Sequence, residues 1–105
     1  MYNFGLTKEE SIVAIFDDVL IKYDKEIVCS VAITNKRILF LDYLNDEFMD
    51  NLNGAHASSN IKYKEVFLYK DIKDIKSIST NKIIFKDSSI IEIDNKDFFK
   101  ALKEL

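Results

Sequence analysis

The side chains best placed to do chemistry in this chain are lysines. Lys62, Lys64, Lys73, Lys76 and Lys82 fall in residues 61–86, which carry seven lysines against three acids, a local charge of +4. The whole chain is at −3, because residues 1–60 carry five Lys/Arg against ten Asp/Glu and residues 87–105 three against five. A basic segment in an acidic protein attracts anions locally despite the overall sign. Lys62 and Lys64 share a strand face, Lys73, Lys76 and Lys82 follow on nearby segments, and Tyr63 or Tyr69 stands beside them. Such a set suits a lipid head group, a phosphopeptide or RNA. The plainer reading makes these lysines the outward positions of strands, where lysine also discourages edge-to-edge association. Glu65, Asp71 and Asp74 interleave with them and dilute the field. The acidic balance of the whole argues against a general nucleic-acid binder.

Other candidate groups point away from catalysis. Cys29 lies on an apolar strand face with no histidine near it in sequence, which fits a buried thiol better than a nucleophile. His56 is the one histidine, and with a single cysteine on a distant strand it cannot build a zinc site. Asp17-Asp18 and the group Asp46, Glu47 and Asp50 could pair carboxylates, but the second set lacks calcium-loop spacing and a glycine at the sharp turn. No glycine-rich phosphate loop or nucleophile elbow is present. No catalytic residue, metal, cofactor or small-molecule substrate is therefore expected. The weakest alternative is an enzyme with an unrecognised site in residues 44–60. The aromatic residues say more. Tyr43, Phe48, Tyr63, Phe67 and Tyr69 are many large rings for a small domain, and an exposed set of them would mark a protein interface.

These side chains need elements to position them. A chain of 105 residues, 48% apolar and 31% charged, is one soluble domain spanning 1–105. No apolar run approaches the ~20 residues that span a bilayer. Met1–Leu6 does not resemble a signal peptide, and one cysteine suits a reducing compartment, so the expected location is cytoplasmic. With two glycines and no proline, turns must use Asn, Asp, Ser and Lys.

The organising stretch is Ser30–Tyr43. Apolar runs Ile27–Ile33 and Ile38–Tyr43 flank a polar break at Thr34–Arg37, the sequence form of a β-hairpin. Ile27, Cys29, Val31 and Ile33 alternate with the smaller Val28, Ser30, Ala32 and Thr34. The bulky set should face the core, and the small set either meets solvent or lets another element approach. Ile38 and Phe40 alternate with Leu39, Leu41 and Tyr43, so the return strand should be covered on both sides for part of its length. Asn35 is the residue best suited to a left-handed turn position.

Upstream, Thr7 and Glu10 have capping-box spacing, which predicts one helical turn at Thr7–Ser11. Ile12–Tyr23 fits either a helical stripe or a strand with room for a bulge at Asp17–Asp18. β-branching favours the strand. Asp24–Glu26 reads as a charged turn. Leu44–Asn60 is a long irregular segment in which Glu47–Leu52 could form a turn of helix. Ile61–Tyr69 reads as a strand, with Val66 and Leu68 on one face and Phe67 and Tyr69 on the other. A turn at Lys70–Lys73 leads into a strand at Asp74–Ser79. Strands at Lys82–Lys86 and Ser89–Asp94 are joined by a turn at Asp87–Ser88. The last segment carries Phe98, Ala101, Leu102 and Leu105 at helical spacing, capped by Asp94 or Asn95.

Six or seven antiparallel strands followed by one amphipathic C-terminal helix make a mainly β fold, and its outline resembles a bent, barrel-like pleckstrin-homology (PH) domain. Val31–Asp42 is similar to the T-[ND]-[KR]-R hairpin of bacterial PH-like and GRAM-like domains. Phe67–Ile75 resembles their later strand and turn. The resemblance covers about Leu6 to Leu105 and also favours the strand reading of Ile12–Tyr23. It implies a non-catalytic binding module, and some bacterial members form homo-oligomers. The basic pattern by which eukaryotic members bind phosphoinositides is absent, since Tyr23-Asp24-Lys25-Glu26 occupies the first turn. The expected function is protein–protein or self-association. The alternative is an anionic membrane surface bound by the 61–86 lysines.

Overall fold

The computed structural model describes residues 2–43 and 64–105. Among these described residues, eight strands run in one open, bent sheet: β1 (Tyr2–Asn3), β2 (Ile12–Tyr23), β3 (Lys25–Thr34), β4 (Arg37–Tyr43), β5 (Lys64–Asp71), β6 (Ile75–Ile78), β7 (Lys82–Phe85) and β8 (Ile90–Asp94), with helix α1 at Lys96–Lys103. Their spatial order is β1-β5-β4-β3-β2-β8-β7-β6. Seven strands pair antiparallel, and β1 adds to β5 in parallel. The mainly β fold with a closing helix is thus the one expected, plus a two-residue edge strand.

Ile12–Tyr23 is a strand, and its pairing explains the bend. It pairs with β3 along its length, but with β8 only through Leu20, Ile21 and Lys22. Between Phe16 and Val19 the register slips at Asp17–Asp18, with Asp18 at φ 55°. Asp tolerates the left-handed region better than a β-branched residue does, and a bulge kinks and twists the strand that carries it. Next comes a tight reversal at Asp24, φ 67°, with Tyr23 opposite Lys25. The expected charged turn is therefore shorter, and Lys25 and Glu26 already belong to β3.

The inner face carries the main core. Val31, Ile33, Ile38, Phe40, Ile83, Phe85, Ile91 and Ile93 are buried there, and Phe98 of α1 packs into them. Phe98 meets Phe16 edge-on at 6.0 Å and Phe99 at 5.1 Å. Asn95 caps the helix by accepting from the Phe98 amide at 2.9 Å. The helix buries Phe98, Phe99 and Leu102, whereas Leu105 lies beyond its last turn and is exposed. Phe99 thus takes the core place that helical spacing assigned to Leu105.

The outer face carries a second, smaller cluster. Ala32, Leu39 and Leu41 are buried under Tyr2, Phe4, Ile12 and Val66. The small outward residues of β3 do let another element approach: the N-terminal arm. In β5 a bulge sets Leu41 against Val66 but Phe40 against Leu68. Val66 joins the outer cluster and Leu68 the main core, so the two do not share a face as strict alternation predicts. The turn before β6 is a single 3-10 turn at Ile72–Asp74, and the turn between β7 and β8 places Ser88 at φ 73°.

Candidate functional site

Two polar knots organise the outer face. The first joins the segment before β2 to the β3–β4 turn. Glu10 is buried, and its carboxylate accepts from Arg37 Nε at 2.8 Å and Arg37 Nη2 at 2.6 Å. It also accepts from Thr34 Oγ1 at 2.6 Å and the Thr7 amide at 3.0 Å. The Arg37 hydrogen bonds, with those from Thr34 and Thr7, hold the Glu10 pKa down at about 2 against the opposing effect of burial. A bidentate guanidinium with every lone pair engaged is what a buried carboxylate needs to stay ionised. The Arg37 guanidinium lies 4.9 Å from the centre of the Tyr69 ring.

This knot corrects two expectations. Thr7 and Glu10 do bond reciprocally, but around a β-turn closed by the Glu10 amide on the Thr7 carbonyl at 3.1 Å, with Glu9 at φ 66°. No helical turn forms there. Nor does Asn35 take the left-handed position. Its side chain instead accepts from the Ser11 amide at 2.8 Å and donates to the Glu9 carbonyl at 3.0 Å, tying the two loops together. Thr34 Oγ1 shapes the hairpin turn by accepting from the amides of Lys36 and Arg37.

The second knot sits at the β2 bulge. Asp17 accepts from the Tyr2 hydroxyl and from Ser30 Oγ at 2.7 Å, and Lys64 donates to Ser30 Oγ at 2.8 Å. Lys64 also stands 3.8 Å from Asp17 and 5.1 Å from the Tyr43 ring centre. The Tyr2 and Ser30 hydrogen bonds lower the Asp17 pKa, and the same bond to Asp17 raises that of Tyr2. A serine beside a lysine has the composition of a nucleophile and its base. Here Ser30 is fully buried and gives its proton to Asp17, so no substrate carbonyl can reach it.

Among the described lysines of the set, Lys64 stands apart from the others. Lys64 starts β5 and is committed to the knot, while Lys73 follows the end of that strand, about 23 Å further along at ~3.3 Å per residue. Lys73 and Lys76 are exposed on the 3-10 turn and β6, and Lys82 opposes Glu92. Of the aromatic set, Tyr43, Phe67 and Tyr69 are exposed. Lys62, Phe48, Tyr63, His56, Asp46, Glu47 and Asp50 lie outside the described residues. Cys29 is buried and its thiol pKa is pushed up to about 12 by desolvation, which agrees with a structural thiol. Among the described residues, no group of three or more His, Cys, Asp or Glu could hold a metal ion, and no helix is long and apolar enough to cross a membrane.

What sequence pattern missed is that Leu20 and Val28 join Tyr43 at the uncovered end of the outer face. Leu20 pairs with Val28 across β2 and β3, and they are 38% and 57% exposed. Tyr43, 51% exposed, is the next outward position on β4 past the Ser30–Leu41 pair, as Val28 is on β3. A shallow groove of about 370 Å³ runs beside Leu20, rimmed by Lys22, Glu26, Glu92 and Asp94. The signal was present in the alternation of β3, where Val28 is the one apolar residue larger than alanine in the outward row. No protein-family model matches this chain, and neither the curated proteins nor the solved structures compared with it give a match.

Proposed function

We propose that this chain is a non-catalytic, PH-like binding module that associates with a second copy of itself through the uncovered end of its outer sheet face. The observation that carries the reading is the exposed strip Leu20, Val28 and Tyr43, three apolar or aromatic side chains on adjacent strands of the outer face. Exposed apolar strips of this kind mark association surfaces. The rim beside the strip carries Lys22 against Glu26, Glu92 and Asp94, so the apolar side chains and not the rim charges carry the contact. The seven antiparallel strands, the closing helix and the Thr34–Arg37 hairpin support the PH-like assignment. The lone buried thiol agrees with a reducing, cytoplasmic setting.

The test is mass by light scattering over a concentration series, with vesicle co-sedimentation on the same samples. The expected result is a dimer that reverts to monomer in Val28→Glu, with no pelleting on anionic vesicles. A monomer at every concentration overturns self-association. Salt-sensitive pelleting that survives Val28→Glu and is lost on replacing Lys73 and Lys76 would move the function to an anionic surface.

A further inference from the structure

We propose that the aromatic arm, residues 2–4, is a strap docked on its own chain, which opens on a pivot at Gly5 while the sheet stays folded. Its docking sets how much apolar outer face the domain presents. The strap lies on Ala32, Leu39 and Leu41, all fully buried. The row it crosses runs Tyr69, Leu39, Ala32 and Ile15 over four strands, and the two ends, Tyr69 and Ile15, are exposed. Past the Ser30–Leu41 pair lie Val28 and Tyr43, exposed in turn. With the strap away, Leu39 and Ala32 join the two ends of the row, and Leu41 joins the row to Tyr43 and Val28. Separate exposed side chains thereby become one continuous face, the kind of patch that marks an interaction surface. The proposal stands for a monomer and a dimer alike.

The strap is held lightly. Its ladder is two residues, Tyr2 and Asn3 beside Lys64 and Glu65, whereas β2 pairs with β3 along its whole length. The Tyr2 and Phe4 rings stack at 5.3 Å and are only half-buried. Its polar side-chain tie is the Tyr2 hydroxyl, which donates to Asp17. Losing that tie strands no charge, because Asp17 keeps Ser30 Oγ at 2.7 Å and Lys64 at 3.8 Å. An element with few buried contacts opens well below the free energy of global unfolding. The pivot is equally plain. Residues 4–7 have no regular structure, and Gly5 sits at φ 58° with nothing within 4 Å of where a Cβ would stand. Arg37 Nη2 donates to the Gly5 carbonyl at 3.2 Å, and Glu10 ties Thr7 to the same arginine. The chain is thus fastened to the hairpin from Gly5 onward, and the strap swings before that point.

Amide hydrogen exchange in increasing sub-denaturing urea tests the opening, and binding of the dye anilinonaphthalene sulfonate tests the face. Residues 2–4 should exchange at least about tenfold faster than β3 and β4, at a rate nearly independent of urea. Tyr2→Phe removes the hydroxyl and keeps the ring. It should speed strap exchange and raise dye binding several-fold, with the urea midpoint of the sheet unchanged. The lock is Asn3→Cys/Glu65→Cys, register partners on strands about 4.8 Å apart, within disulfide reach. Oxidised, it should bind less dye than wild type, and reduction should restore the difference. Failure of the pair to close overturns the docked position itself. Strap exchange that accelerates with urea in step with β3 and β4 overturns the proposal, because the arm then unfolds only with the sheet. Dye binding unmoved by both Tyr2→Phe and the lock overturns it as well, because no new face is then uncovered.

Discussion

The β3–β4 hairpin has two faces, and they are closed by different means. On the inner face Val31, Ile33, Ile38 and Phe40 meet β7, β8 and a capped helix, all through apolar packing. On the outer face Ala32, Leu39 and Leu41 meet a thin arm, and polar knots at Glu10 and Asp17 hold the covering segments in place. Apolar burial grows with the area removed from water, so a helix with three buried large side chains seals a face on its own. An arm with two rings cannot, and hydrogen-bonded charges supply the register that area does not. The consequence is a face only partly closed: Leu20, Val28 and Tyr43 are left uncovered at one end, and Ile15 and Tyr69 stay exposed beside the buried Ala32 and Leu39.

The comparison breaks most visibly at the helix. Phe98→Ala should destabilise the domain by about 3–5 kcal/mol, because the ring is fully buried between Phe16, Phe99 and the sheet. Urea unfolding measures it, and a loss below about 1 kcal/mol would mean that α1 does not seal the inner face.

The Glu10 knot should show as a pH dependence. The folded chain keeps Glu10 ionised down to about 2, against an ordinary value of 4.5. As pH falls, protons therefore bind the unfolded chain first, and stability present above 4.5 is lost progressively toward 2. The shift corresponds to about 3 kcal/mol. Glu10→Gln should be less stable at neutral pH and should lack this part of the acid loss. Parallel pH–stability curves for the two proteins would remove the knot from the account of the outer face.

Truncating the arm's ring has a smaller effect. Phe4 is half-buried, so Phe4→Ala should cost about 1 kcal/mol while increasing dye binding at the newly exposed Leu39 and Leu41. Equal losses for Phe4→Ala and Phe98→Ala would erase the distinction between the faces. Smallest is Val28→Glu, expected within about 0.5 kcal/mol of wild type, since Val28 is more than half exposed. A large loss of stability there would show that the strip is already covered within one chain.

How much was legible in the sequence differs between these regions. The inner face was readable because alternation in β3 and β4 and helical spacing in α1 are local periodicities. The strand at Ile12–Tyr23 and the bulge at Asp17–Asp18 followed from β-branching interrupted by two acids. Leu105 was misplaced because the helix ends at Lys103, and spacing does not see where a last turn stops. Val66 and Leu68 were put on one face because alternation assumes an unbroken ladder, and a bulge at Phe67 breaks it. The knots were half visible. The spacing of Thr7 and Glu10 announced a local bond, but the partner Arg37 is 27 residues away from Glu10.

By itself, then, the sequence determined a mainly β fold, its hairpin, its closing helix and the burial of Cys29, because each depends on neighbours a few residues apart. Only the tertiary structure decided which lysines are free, since Lys64 is committed to Ser30 and Asp17 across the sheet. It also decided that the arm covers Ala32, Leu39 and Leu41 and stops short of Val28. Those outcomes depend on the bend of β2 and the slip in β5, which bring distant residues into register, and pairing across a sheet leaves no periodic trace along the chain.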